Sequence, residues 1–401
     1  MWLVASILAL TSVSDDAWIR SQWTDQHGQL EVAARRYEPA DAQTEQPAVW
    51  LIGVTHIGDA AFYSALEDLM DGMDVVIYES VLPPGGTPPQ LENEGKRSEA
   101  TLATAKLLAS LYAGSEPSDM STWTHAHQAL SQRDARLGNM ARDLSRDGWG
   151  VPWHFVHDPE GVVWIESWGA DAQPGGKDDS TDIRVVVPAE SPEEDHGELQ
   201  RKLGDMLDLS FQLDALNYGD PRWVPGDLRM DQVAAAFEDR GESVQELTGL
   251  MSGTGFAGRM VHGMVEAMPM IDAMFGGRVV DTFHVVLIEM LGQESLVEGA
   301  LSVYGDTFRE VIIDLRNEAA LAAMDRAVFE RADVAEVGVL YGGGHMAHMA
   351  QLMQGPRNYQ LVETRWFPAI TFDVNASPLS AMEVTMLRNW FGAMGARMFA
   401  Q

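Results

Sequence analysis

The stretch Ala48-Val49-Trp50-Leu51-Ile52-Gly53-Val54-Thr55-His56 decides the fold. Its first five residues are a continuous apolar run with a glycine behind them, the pattern of a strand covered on both faces. The pattern returns far along the chain as Val337-Gly338-Val339-Leu340-Tyr341-Gly342-Gly343-Gly344-His345. Each copy closes on Gly-x-x-His. Ligands of open α/β sheets collect where such strands end, so His56 and His345 are expected at one site.

Working outward, Phe62, Leu66, Leu69 and Met70 share one face of a helix starting near Asp59, and Asp71-Gly72 closes it. Asp74-Val75-Val76-Ile77-Tyr78-Glu79 is a second buried strand, and parallel pairing is the default for such a crossover. Residues 17–37 form a hairpin around Asp25-Gln26-His27-Gly28, and a second hairpin turns at Asp158-Pro159-Glu160-Gly161. Ile183–Val187 is a further strand, and Pro83–Pro89 and Gln173–Asp179 are loops. An acidic loop, Glu190–Glu198, precedes a mostly helical middle that includes the Met-rich stretch Phe256–Leu291. A helix over Leu315–Arg331, the second Gly-x-x-His strand, a helix through Met346 and Met349, and a strand at Tyr359–Glu363 follow. These elements predict an α/β domain spanning 17–401. Its mixed, largely parallel sheet is flanked by helices, with a helical insertion over 197–300 between two halves.

The formal net charge is −33, which repels phosphate backbones and argues against nucleic acid as a partner. With no cysteine, disulfides and thiolate ligands are excluded, so a metal would need imidazole and carboxylate. Trp2–Leu10 is apolar and leads into small residues, like a short signal-peptide core over 1–16, although no basic residue precedes it. Export to a periplasmic or extracellular setting and retention in the cytoplasm both stay open. No segment reaches the roughly 18 uninterrupted apolar residues of a membrane span.

Glu79 closes the strand after His56 and belongs on the same sheet edge. Two imidazoles and a carboxylate suit a divalent ion of the Zn, Mn or Co class with open positions for water. The glycines would let the backbone turn sharply and a ligand approach closely. The plain alternative makes each glycine a strand-to-helix turn and each histidine a polar residue at a helix start. Arg316 could clamp a substrate carboxylate or hold Glu79 ionised. Asn317, Tyr218 and Asp214 are candidate substrate contacts, and Asp227 lies in the same polar middle stretch as the last two. His348, and the pairs His125 with His127 and His154 with His157, have ligand-like spacings but no evident third partner. Gly-x-x-x-x-Gly-Lys-Ser/Thr, Gly-x-Ser-x-Gly and His-Glu-x-x-His are all absent.

Leu51–Asp59, Val76–Ser80, Arg316-Asn317 and Gly338–His345 together resemble the TraB/Tiki superfamily, which takes in GumN-type proteins and is related to ChaN and erythromycin-esterase-like folds. Phe211–Tyr218 is similar to the helical middle of its bacterial members. The likeness spans roughly residues 28–367 and rests on about 40 positions. It implies one α/β domain with a helical insertion, and a metal-dependent peptidase or hydrolase centre on the two histidines and the glutamate. It also implies a peptide or small-molecule partner. A non-catalytic protein that binds a peptide or haem-like ligand, or signals, is the alternative.

Overall fold

The computed structural model describes residues 16–41, 46–80, 94–133, 138, 141–142, 144–159, 161–177, 180–189, 204, 207, 209–228, 230–241, 276–293, 305–331 and 333–398. The expected signal segment (except Asp16), the 83–89 loop, the whole acidic loop at 190–198 and much of the 197–300 insertion lie outside the described residues.

The chain opens with the expected hairpin of β1 (Ile19–Trp23) and β2 (His27–Pro39), then β3 (Ala48–Val54), β4 (Ile57–Gly58) and helix α1 (Ala60–Met70). β5 (Val75–Tyr78) follows. Near the C-terminus come helix α6 (Arg316–Glu330), β11 (Glu336–Gly342), helix α7 (Met346–Gln354) and β12 (Tyr359–Asp373). Between these halves lie α2 (Glu94–Leu111), α3 (Trp123–Arg133), β6 (His154–His157), β7 (Val163–Ser167), β8 (Ile183–Val186), β9 (Ser210–Phe211), β10 (Trp223–Pro225), α4 (Met230–Glu238) and α5 (Arg278–Leu291). Helix α8 (Ala381–Met398) ends the described chain.

The fold is mixed α/β. In its seven-stranded sheet β3, β11, β5 and β10 run parallel in that order. The antiparallel part is β2, paired with β3 and β1 along one edge and with the long, twice-bulged β12 along the other. The crossover from β3 to β5 therefore skips one position, and the distant strand β11 fills it. Gly53 pairs with Tyr341 and Val54 with Gly342, so the two Gly-x-x-His turns leave the sheet side by side.

All seven residues of β3 are buried, as the continuous apolar run requires. Val49 and Leu51 of β3, Val75 and Ile77 of β5, and Val337, Val339 and Tyr341 of β11 join a core with Leu321 and Met324 of α6 and Met346, Met349 and Met353 of α7. Trp50, Ile52, Val76, Tyr78 and Leu340 point the other way, onto Phe62, Tyr63, Leu66 and Met70 of α1. The sheet is thus sandwiched between helices, and side-chain alternation assigns each strand residue to one layer. Glu79, one residue beyond β5, continues that alternation onto the α6 side.

The expected helical middle is only partly helical where it is described. Trp223–Pro225 extends the parallel sheet beyond β5, and Asp227 stands just past that edge strand. Propensity over three residues carries no strand signal, so tertiary pairing decides it. The expected 154–165 hairpin forms as β6 and β7, and β8 adds a third strand. With α2 and α3 these strands enclose an apolar cluster of their own.

Candidate active site

The site forms where β3, β11 and β5 end. The Glu79 carboxylate reaches across β11: Oε2 accepts the Gly342 N–H at 2.7 Å, and Oε1 lies 2.7 Å from Arg316 Nη2. Burial alone would raise the Glu79 pKa. The Arg316 guanidinium, then the His345 ring and the Gly342 N–H, outweigh it and hold the group at about 2. His345 Nε2 stands 3.6 Å from Glu79 Oε1. Burial lowers His345 to about 4, against the pull of Glu79, so the ring is neutral near pH 7. His56 acts electrostatically on both Glu79 and His345, which puts the two imidazoles and the carboxylate in one field.

Each imidazole is oriented by a side-chain amide. Asn317 is fully buried, and its Nδ2 donates to the His345 backbone carbonyl at 3.1 Å. Its Oδ1 is then left to accept His345 Nδ1–H, at 2.7 Å. Gln212 does the same for His56: Nε2 donates to the Tyr218 hydroxyl at 3.0 Å, and Oε1 lies 3.1 Å from His56 Nδ1. The two-residue pairing of β4 with β9, directly after His56 and directly before Gln212, sets that partner in place, helped by the Gln212 N–H bond to the His56 carbonyl. His345 therefore carries hydrogen on Nδ1, and His56 is held through the same ring nitrogen by the Gln212 amide. His345 heads α7 but makes no side-chain capping bond, and His56 stands before β4 rather than at the head of α1, whose first flanking residue is Asp59.

Arg316 is buried, and its guanidinium fork is engaged by protein carboxylates rather than left open to substrate. Nε and Nη2 bind Asp227 at 2.9 and 2.7 Å, and Nη2 also binds Glu79. Asp227 is held in turn by the N–H groups of Leu228 at 2.7 Å and Ser80 at 3.2 Å. Burial pushes the Asp227 pKa up, with Arg316 opposing. A π-helical turn, Glu310–Leu315, leads directly into Arg316, a distortion frequent at functional sites. Its Asp314 contacts His348 Nδ1 at 3.1 Å.

The glycines act differently from the expectation of sharp turns. Gly53 lies inside β3, where a Cβ would sit 2.7 Å from a Val32 methyl and 3.0 Å from the Ala33 carbonyl of the neighbouring strand. A Cβ on Gly342 would sit 3.2 Å from Glu79 Oε2. Both positions serve close approach of protein to protein.

Of the expected substrate contacts, Asn317 and Tyr218 are buried and work on the histidines: Asn317 binds His345, and Tyr218 receives the Gln212 amide. Asp214 is exposed on the short helical turn that follows β9. His125 and His127 bond to Ser121 and Ser131, His154 stacks on Trp168 at 3.5 Å, and His157 meets the Met120 carbonyl. Gln212 and the pivotal role of Asp227 were missed because neither has a motif. The available signal for Gln212 is its place within Phe211–Tyr218, the stretch similar to the helical middle of the TraB/Tiki superfamily's bacterial members.

Among the described residues, no group of three or more His, Asp or Glu side chains is placed so that it could hold a metal ion. The donor types present are those an ion would take, two imidazoles each held by an amide at Nδ1 beside an ionised carboxylate. No protein-family model matches this chain, and no curated protein or solved structure matches it. No helix among the described residues is long and apolar enough to cross a membrane.

Proposed function

We propose that the chain is a hydrolase of TraB/Tiki type, acting on a peptide or a related amide, with a divalent metal ion held by His56, His345 and Glu79. One observation carries the reading: both imidazoles are locked by a side-chain amide with Nε2 left free, and they share a field with Glu79. An ion in this place would lower the pKa of a bound water and polarise a carbonyl. The chain's own residues do the rest. Gln212 and Asn317 fix ring orientation, Arg316 with the Gly342 N–H keeps Glu79 anionic, and Asp227 anchors Arg316.

The second reading, a ligand-binding protein without catalysis, is favoured by one feature: both Glu79 oxygens already have partners, Arg316 and the Gly342 N–H. Elemental analysis of protein purified without chelator, paired with turnover of an unbiased peptide library, separates the two. The expected result is stoichiometric metal and hydrolysis, both lost in His56→Ala. Equal metal content and equal rate in wild type and His56→Ala would overturn the hydrolase.

A further inference from the structure

His348 lies one turn beyond His345 on α7, and its Nδ1 faces two side chains from the segment packed against that helix. Asn317 Nδ2 of α6 stands 3.2 Å away, and Asp314 Oδ1 of the π-helical turn stands 3.1 Å away. The spacing in the sequence is ligand-like, but through these contacts the ring is turned toward α6. The same Asn317 amide binds His345. One buried side chain therefore touches both imidazoles.

On the hydrolase reading above, in which His345 is a ligand, we propose that His348 is a positioning residue that holds the His345 ring through the Asn317 amide. Only one orientation of that amide meets all three of its contacts. Nδ2 gives one hydrogen to the His345 carbonyl at 3.1 Å and the other to His348 Nδ1 at 3.2 Å. Oδ1 is thereby aimed at His345 Nδ1–H, at 2.7 Å. Turning the amide over would set its oxygen against a carbonyl and an imidazole lone pair, and its N–H groups against the His345 N–H. The His345 carbonyl fixes one amide hydrogen, and His348 fixes the other. Neighbouring hydrogen bonds of such a row polarise and strengthen one another.

Asp314 competes for the same ring nitrogen. A hydrogen on His348 Nδ1 would go to its carboxylate and leave the second Asn317 N–H facing another N–H. Asn317 is fully buried, so that donor has no water to turn to, whereas the Asp314 side chain is 36% exposed and open to solvent. An unmet buried donor costs more than a half-exposed ion pair contributes. His348 therefore keeps its Nδ1 lone pair for Asn317 and its hydrogen on Nε2.

Two substitutions in the full-length protein separate an acceptor from mere bulk. His348→Leu fills the position without an acceptor, and His348→Asn offers a side-chain oxygen near the place of Nδ1. In metal-free protein carrying isotope-labelled histidine, the His345 Nδ1–H should exchange with solvent at least about 10-fold faster in His348→Leu, because the freed amide opens locally. His348→Asn should bring that exchange back to within about 3-fold of wild type. Affinity for zinc, measured by chelator competition, should fall about 10–100-fold in His348→Leu and recover in His348→Asn. Asp314→Asn should leave both readings at wild type, since the nitrogen it faces is already engaged. Wild-type exchange in His348→Leu overturns the proposal. So does a His348→Asn protein as impaired as His348→Leu, which would make the ring a packing group. A loss in Asp314→Asn as large as in His348→Leu would place the hydrogen on Nδ1 and overturn it as well. A wild type that binds no zinc removes the hydrolase reading, while the exchange pattern in metal-free protein still decides whether His348 holds His345.

Discussion

Glu79 accepts the backbone N–H of Gly342 at 2.7 Å, so the end of one strand is tied to the turn that carries His345 on its neighbour. That bond is made at close quarters because position 342 has no side chain. Gly342→Ala places a methyl 3.2 Å from the carboxylate oxygen, and Glu79 must give by a few tenths of an ångström. We expect the charge-assisted hydrogen bond to weaken, costing about 1–3 kcal/mol of stability, together with a sharp loss of hydrolysis. Urea unfolding and a peptide-cleavage assay check this. An alanine variant with wild-type stability and rate would mean that the bond holds nothing in place.

Two carboxylates share Arg316, and Asp227 is the one whose side chain has no exposure. Arg316→Met strands both, and breaking a buried pair from one side costs about 3–5 kcal/mol. Adding Asp227→Asn removes one stranded charge, so the double variant should be more stable than the sum of the single losses by about 1–3 kcal/mol. Arg316→Lys should keep more of the fold but lose activity, because an ammonium lacks the planar fork that bridges Asp227 to Glu79. A denaturant double-mutant cycle with zero coupling would contradict the shared guanidinium.

Acid should weaken the fold in two overlapping steps. His345 falls from 6.5 to about 4 in the folded protein, because burial disfavours the imidazolium. Between those values the unfolded chain takes up a proton that the folded chain does not, so stability drops as pH falls from 6.5 toward 4. Glu79 falls from 4.5 to about 2, chiefly because Arg316 outweighs its burial, so its contribution is complete above 4.5 and drains away toward pH 2. Thermal unfolding of metal-free protein from pH 8 to 3 should show Tm falling throughout the lower range. His345→Gln should flatten the upper step and leave the lower one. A variant that keeps the slope between pH 6.5 and 4 would place its origin elsewhere.

Much of this site was legible in the sequence, and the parts that were not share a cause. Continuous apolar runs marked the strands that end near His56, Glu79 and His345, since burial on both faces leaves a signal in every residue. Strand order left none: β11 lies between β3 and β5 because pairing is settled by long-range contacts that no local pattern records. The same holds for Gln212 and Asp227, whose roles depend on one short β-bridge and one three-residue edge strand. Asn317 reads from the sequence as a group for substrate, and Arg316 either as a substrate clamp or as the cation that keeps Glu79 ionised, the second of which the structure shows. Their burial against Glu79 and His345 is visible only once the helix is docked.

The amide brackets behind the histidines give the sharpest test of how the site is organised. Outer partners of ligating histidines are worth about 10–100-fold in metal affinity or activity. Asn317→Leu and Gln212→Leu should each cost that much while leaving Glu79 and Arg316 in place. Asn317→Leu also leaves the buried His345 imidazole N–H without a partner, so about 1–3 kcal/mol of stability goes with it, whereas His56 is exposed and Gln212→Leu carries no such penalty there. Asn317→Asp separates positioning from packing. Its carboxylate still accepts His345 Nδ1–H, so ring orientation survives, while the added negative charge favours the imidazolium. The His345 pKa should therefore rise from about 4 toward its ordinary value, followed through the ring Cε1–H resonance across a pH titration. Activity near neutrality should then recover relative to Asn317→Leu, and its acid limb should move to higher pH with the ring. If Asn317→Asp and Asn317→Leu are equally impaired and the His345 resonance titrates as in wild type, Asn317 is a packing residue and orients nothing.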